Sequence, residues 1–280
     1  MTEQRIHKAV SADGTEIAGR VHGQGPPLVF LHGRLEDGDS CWAHLLPLLA
    51  GRFTCFTPST RGRGRSGESS DHAPARLAED AVAFIDSIGE PVGVVGWSSG
   101  AGLALAALAG GATASAAAIY EPSVAEVIDD AQAARLREAV TGMAELVASG
   151  RPGEAARAFL SVVATEEELA DAVAAGYEET WARYVPVALE EFQQAHLAPA
   201  DAPRPTDPSV LARIATPVLV LHGTETPLRA ITDGVAHVAE HLPDVEVRQI
   251  AGAGHLAPIV QPAPIAEQLL RFFHAAPEPA

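Results

Sequence analysis

A single lysine, Lys8, stands in a chain of 280 residues. Lysine chemistry, whether a Schiff base or an interior general base, is therefore excluded from the body of the protein. Positive charge is scarce altogether: 19 Lys and Arg face 36 Asp and Glu, for a net charge of −17. Such a field repels phosphate backbones and anionic lipid, so neither nucleic acid nor a membrane surface is expected as a partner. Two cysteines, Cys41 and Cys55, are too few for a disulfide framework and lack C-x-x-C spacing, so they read as small buried hydrophobes. No cluster has metal-ligand spacing, and no cofactor is expected. The opening segment MTEQRIHKAV lacks the basic and then apolar stretches of a secretory leader. The longest apolar stretch, around Ala101–Ala109, falls far short of the ~20 residues that cross a bilayer. These absences predict a cytoplasmic protein free in solution; no feature fixes an oligomeric state.

What is present is globular: 47% of residues are hydrophobic and 20% charged, too apolar for disorder. The chain reads in three parts. Over 1–121, short β-rich runs alternate with helical patterns. Ile6–Val10 and Glu16–Val21 form an opening hairpin around Ala12-Asp13-Gly14. Leu28–Leu31, Phe53–Thr57, Val92–Val95 and Ala116–Tyr120 are continuous apolar runs of the kind buried on both faces, with helical stretches near 42–50, 76–88 and 99–110 between them. Over 122–207 the strand signal vanishes. Val124–Ala148, Gly153–Ala164 and Glu166–Leu189 carry apolar residues at helical spacing, and the Pro-rich 197–208 closes the block. Over 208–280 the rhythm returns with strands at Pro217–Leu221 and Val245–Ile250 and helices at Ala230–His241 and Pro262–Phe273. Strands alternating with helices predict an α/β fold with a mostly parallel sheet flanked by helices, and the all-helical block predicts a lid inserted into it.

Gly96-Trp97-Ser98-Ser99-Gly100 ends a buried strand and opens a helix. Small residues there permit the sharp turn that presents a Ser oxygen, so Ser98 is the expected nucleophile and the Ser99 amide an expected oxyanion donor. His32-Gly33 follows the first buried strand, where Gly33 or Arg34 would supply the second backbone donor. Of the 11 histidines, His255 stands in the glycine-flanked run Ala251-Gly252-Ala253-Gly254-His255 between the last strand and the last helix, and is the expected general base; His222, at a strand end, is its rival. Gly62, Gly64 and Gly67 complete a literal G-x-G-x-x-G, but it fails as a dinucleotide fingerprint because Glu68–Pro74 shows no helix start behind it.

These residues, in this order and spacing, resemble the α/β-hydrolase superfamily over essentially the whole chain: His32-Gly33, the run Arg61–Ser66, the elbow at Ser98, and Gly254-His255. The resemblance implies a Ser–acid–His triad. Most of the superfamily has an Asp three residues beyond the Gly that ends the penultimate strand; here Leu221-His222-Gly223-Thr224-Glu225-Thr226 puts Thr226 in that place. Glu225 is adjacent, and Glu121 ends the strand after the elbow helix, from which some members draw their acid; Glu121 is favoured. Ser98-Ser99-Gly100-Ala101, Glu121, Thr226-Pro227 and Trp181-Ala182-Arg183 are similar to zearalenone lactonases, which implies a macrolactone substrate and Trp181 as a substrate-binding wall. Otherwise Trp181 packs between lid helices.

The expected function is hydrolysis of an ester or lactone of a hydrophobic, mid-sized small molecule through an acyl-enzyme. A general carboxylesterase, a C–C hydrolase or an acyltransferase would carry the same triad. A ligand-binding protein on this fold with little turnover is the alternative of another class.

Overall fold

The computed structural model describes residues 5–199 and 201–275. Among the described residues, eight strands form one sheet: β1 (Arg5–Val10), β2 (Glu16–Gly23), β3 (Pro27–Leu31), β4 (Thr54–Pro58), β5 (Val92–Trp97), β6 (Ala114–Tyr120), β7 (Val218–Gly223) and β8 (Val245–Ile250). Their order across the sheet is β1-β2-β4-β3-β5-β6-β7-β8. β2 runs antiparallel to β1 and β4, and every other pairing is parallel. The predicted strands are all present.

Continuous apolar runs occupy the centre because parallel strands are covered on both faces. All residues of β3 and β5 are buried, whereas β1, at the edge, is mostly exposed. Successive side chains leave a strand on opposite faces. Leu28 and Phe30 of β3 accordingly join one core with Trp42, Leu45 and Leu219. Val29 and Leu31 join the other, with Phe84, Leu105 and Val220.

The helices are α1 (Leu46–Leu49), α2 (Pro74–Asp86), α3 (Ser99–Ala109), α4 (Asp130–Ala148), α5 (Pro152–Leu160), α6 (Glu166–Ala174), α7 (Tyr177–Leu197), α8 (Pro208–Leu211), α9 (Arg229–His241), α10 (Ala257–Val260) and α11 (Pro262–Ala275). Four of them, α4 to α7, form a helical insertion between β6 and β7. The single helix expected over Glu166–Leu189 is two, because Gly176 takes a φ of 89° that ends α6 and redirects the chain into α7. Capping boxes start two insertion helices, Asp129 with Gln132 and Thr165 with Glu168. The helix expected near 42–50 shrinks to the single turn of α1.

The sheet order reverses direction between β3 and β5, and loops at the carboxyl ends of strands flanking such a switch leave a crevice for a ligand. The segments after β3 and β5 meet there.

Candidate active site

Ser98 leaves β5 and precedes α3 with φ 55° and ψ −116°, outside the ordinary regions for a residue with a side chain. Close backbone approach explains the glycines around it. A Cβ on Gly96 would lie 2.4 Å from the Gly100 carbonyl oxygen, and one on Gly100 would lie 2.1 Å from that of Leu31. The turn is thus wedged between its own helix and β3. The strain, of order 1–3 kcal/mol per residue in such conformations, is carried by the surrounding sheet. Glu121, directly after β6, is the other non-glycine residue with positive φ among the described residues, 48°.

Sheet register brings the pieces together. Trp97 of β5 pairs with Tyr120 of β6, and Tyr120 with Leu221 of β7. Ser98 and Glu121 therefore emerge at the carboxyl edge of adjacent strands. His255 arrives from the loop after β8: its Nδ1 lies 2.7 Å from Glu121 Oε2 and its Nε2 3.1 Å from Ser98 Oγ. A carboxylate only accepts, so Nδ1 carries the hydrogen and Nε2 is free to accept from the hydroxyl. Glu121 is fully buried and His255 nearly so, while Ser98 is partly open.

The second oxygen of Glu121 accepts from the Gly223 amide at 2.9 Å and from the Thr226 hydroxyl at 2.5 Å. Thr226, standing where the resemblance places an acid, thus holds the carboxylate that arrives from the neighbouring strand. Glu225 is exposed and accepts from the Thr224 hydroxyl, and His222 lies against its own Gly223 carbonyl; neither meets the Ser98 hydroxyl.

Among the expected oxyanion donors, Ser99 opens α3, where a helix has no internal acceptor for its first amides. The Gly33 carbonyl is held by the His32 ring at 2.8 Å and by the Glu36 amide at 3.1 Å. A trans peptide then turns the Arg34 N–H away from those partners. His32 keeps this role as a neutral ring: burial first, then Arg63, lower its pKa to about 4, and its Nε2 accepts the Thr60 amide at 3.0 Å.

Ser98 and His255 line a cavity of about 220 Å³, walled by apolar residues that include Leu35, Val124, Ile128, Phe159 and Leu256. Arg34, Glu36 and Trp181 also line it. Trp181 is nearly inaccessible, and its indole N–H donates to Glu36 Oε1 at 2.6 Å, so this side chain is anchored as well as packed. Glu36 was not anticipated from the sequence. Burial pushes its carboxyl up to about 8, against the hydrogen bonds from Ser40 and Trp181, so it holds a proton at neutral pH. A larger cleft, about 890 Å³, lies between the 62–72 loop and α7 and contains neither Ser98 nor His255.

Trp97 and Tyr120 are further residues that sequence reasoning did not single out for a role. The Trp97 indole donates to the His255 carbonyl at 2.9 Å, and the Tyr120 hydroxyl to the Gly254 carbonyl at 2.6 Å. Their only sequence signal is adjacency to Ser98 and Glu121. Cys41 and Cys55 are both free and buried, and burial pushes the Cys55 thiol up to about 12. Among the described residues, no helix is long and apolar enough to cross a membrane.

The model of the Alpha/beta hydrolase family matches residues 28–268. An alpha/beta hydrolase of Sphaerobacter thermophilus is similar at 30% identity and a TM-score of 0.76, covering 95% of this chain and 100% of that one. The esterase RhEst1 of a Rhodococcus species shares the fold at 23% identity and a TM-score of 0.77, over 97% and 99% of the two chains. Among curated proteins, pyrrolizixenacetamide deacetylase of Xenorhabdus hominickii is 29% identical over 99 residues, which span 35% of this chain and 37% of the deacetylase.

Proposed function

The chain belongs to the alpha/beta hydrolase family, and on that premise we propose that it hydrolyses carboxylic esters of hydrophobic small molecules, with Ser98 as nucleophile, His255 as base and Glu121 as acid. The observation that carries this reading is the continuous chain from Glu121 Oε2 through the His255 ring to Ser98 Oγ, opening into an apolar cavity. His255 Nε2 takes the hydroxyl proton as Ser98 Oγ attacks the carbonyl carbon. The oxyanion is met by the Ser99 amide and by that of Gly33 or Arg34. The fixed Gly33–Arg34 peptide favours Arg34. Each such donor is worth roughly 3–4 kcal/mol of barrier. The imidazolium returns the proton to the leaving alcohol, and water, activated by the same ring, releases the acid. Glu121 orients the ring and stabilises its charged form.

Residues 122–207 act in this reading as a lid over a core of 1–121 and 208–280, with Trp181 as one wall of the substrate site. The substrate implied by the narrower resemblance is a zearalenone-type macrolactone. A cavity of about 220 Å³ is smaller than the roughly 300–1,000 Å³ typical of drug-sized ligands. Simple hydrophobic esters suit that volume; a macrolactone requires the insertion to move outward.

The test is incubation with p-nitrophenyl butyrate and with zearalenone, each with Ser98→Ala as control. Turnover by the wild type and none by a folded Ser98→Ala supports the hydrolase. Full activity in Ser98→Ala ends the reading. Ring opening of the lactone decides the narrower substrate. A ligand that raises Tm without being consumed would favour the binding-protein alternative.

A further inference from the structure

The backbone of Gly254-His255-Leu256 is held at each residue. Tyr120 donates to the Gly254 carbonyl and Trp97 to the His255 carbonyl, both from the strands of the core. The third restraint comes from the insertion. Glu168, on the first turn of α6, accepts the Leu256 amide on Oε1 at 2.9 Å. Its other oxygen accepts the Thr165 amide at 3.2 Å and so caps α6. The side chain is buried, and a Cβ on Gly254 would lie 2.2 Å from Glu168 Oε2. Only a glycine before His255 admits a carboxylate at this depth.

A buried carboxyl without a cation is costly unless its oxygens are hydrogen-bonded. A helix cap alone needs neither the burial nor a reach across 88 residues to Leu256. We infer that Glu168 is a positioning residue for His255: it ties α6 to the loop that carries the base, so that the imidazole is held between Glu121 and Ser98 only while the insertion is docked. This rests on the reading of His255 as the general base.

The test separates the tie from the cap. Thr165→Ala removes the hydroxyl that accepts the Glu168 amide and leaves the Leu256 bond. Glu168→Ala keeps that backbone amide bond but removes the carboxylate's bonds to the Thr165 and Leu256 amides, and Glu168→Gln keeps an oxygen for Leu256. Kinetics with p-nitrophenyl butyrate should show kcat falling at least ten-fold in Glu168→Ala with KM within about two-fold, while Thr165→Ala keeps kcat and Glu168→Gln recovers most of it. Equal losses in Thr165→Ala and Glu168→Ala, no recovery by Glu168→Gln, or an effect confined to KM would overturn the inference.

The NMR resonance of the His255 Nδ1–H, hydrogen-bonded to Glu121, reads the same point without turnover. It should broaden or vanish in Glu168→Ala and persist in Thr165→Ala; persistence in both overturns the tie. Should the wild type cleave no ester, the ester reading fails while this resonance still decides the positioning. If Glu168→Ala does not fold, Gly254→Ala displaces the carboxylate from the loop side. It should reproduce the kcat loss, and wild-type kcat there would refute the inference.

Discussion

Glu121 and Glu225 differ by more than distance. Glu121 is buried with each oxygen committed, one to the His255 ring and the other to Gly223 and Thr226, whereas Glu225 is exposed. Glu121→Gln should therefore lower kcat by on the order of 10⁴, because an amide facing Nδ1 favours the wrong tautomer. Glu225→Gln should stay within about two-fold in the same ester assay, and the reverse ranking would move the acid. Glu36 makes a prediction about stability. Folded, it keeps its proton up to about pH 8; unfolded, it releases the proton near the ordinary value of about 4.3. Between those values the folded state binds the extra proton, so stability declines as pH rises through this window. Glu36→Gln escapes that decline while keeping both hydrogen-bonding functions. Its stability advantage over wild type, read as a higher Tm, should grow from pH 5 to pH 8 and level off above, reaching on the order of a few kcal/mol. Parallel melting curves across that range would contradict the assignment.

At the scale of elements, α3 shows how one helix holds glycines for opposite reasons. Gly100 sits against the carbonyls of Leu31 and His32, whereas a Cβ on Gly102 would meet nothing within 4 Å. Gly100→Ala should cost about 1–3 kcal/mol or more and distort the Ser98 turn. Gly102→Ala should be neutral or stabilise by up to about 1 kcal/mol through helix propensity. Urea midpoints of the two variants measure the difference. The elbow was legible because strand, tight turn and helix leave a local pattern of apolar run, glycine and small residue. The break at Gly176 was not, since the apolar spacing of 166–189 continues across it and only a positive φ separates the helices. Trp181 lines the cavity, but its bond to Glu36 joins residues 145 positions apart and leaves no pattern in either neighbourhood.

Across the whole molecule, the segment after β3 and the helix α7 are bound by polar ties. Glu191 of α7 pairs with Arg34 at 2.7 Å and with Arg63, Tyr184 donates to Asp37 at 2.6 Å, and Trp181 to Glu36. Burial disfavours the ionised Glu191, yet Arg63 and Arg34 hold its carboxyl below the usual range. Removing it leaves two guanidinium groups without their shared counter-charge, one of them fully enclosed. Glu191→Ala should lose about 3–5 kcal/mol of stability in chemical denaturation. A loss under about 1 kcal/mol would show that water reaches the cluster. These ties were invisible beforehand because Glu191 and Glu168 lie on helices that carry several other acidic residues, and only packing selects which ones turn inward.

The sequence by itself determined the alternation of strand and helix, the all-helical block between the sixth and seventh strands, Ser98 at the end of a strand and His255 in the loop between the last strand and the last helices. Each of these rests on local chemistry: period, turn residues and the small side chains that a sharp bend demands. Only the tertiary structure decided which carboxylate meets His255. β6 and β7 are neighbours in the sheet, so an acid at the end of either can reach the ring. The choice falls to Glu121 because its backbone turns at positive φ while Gly223 and Thr226 close around its free oxygen. Those partners lie more than a hundred residues away, and no local pattern records them.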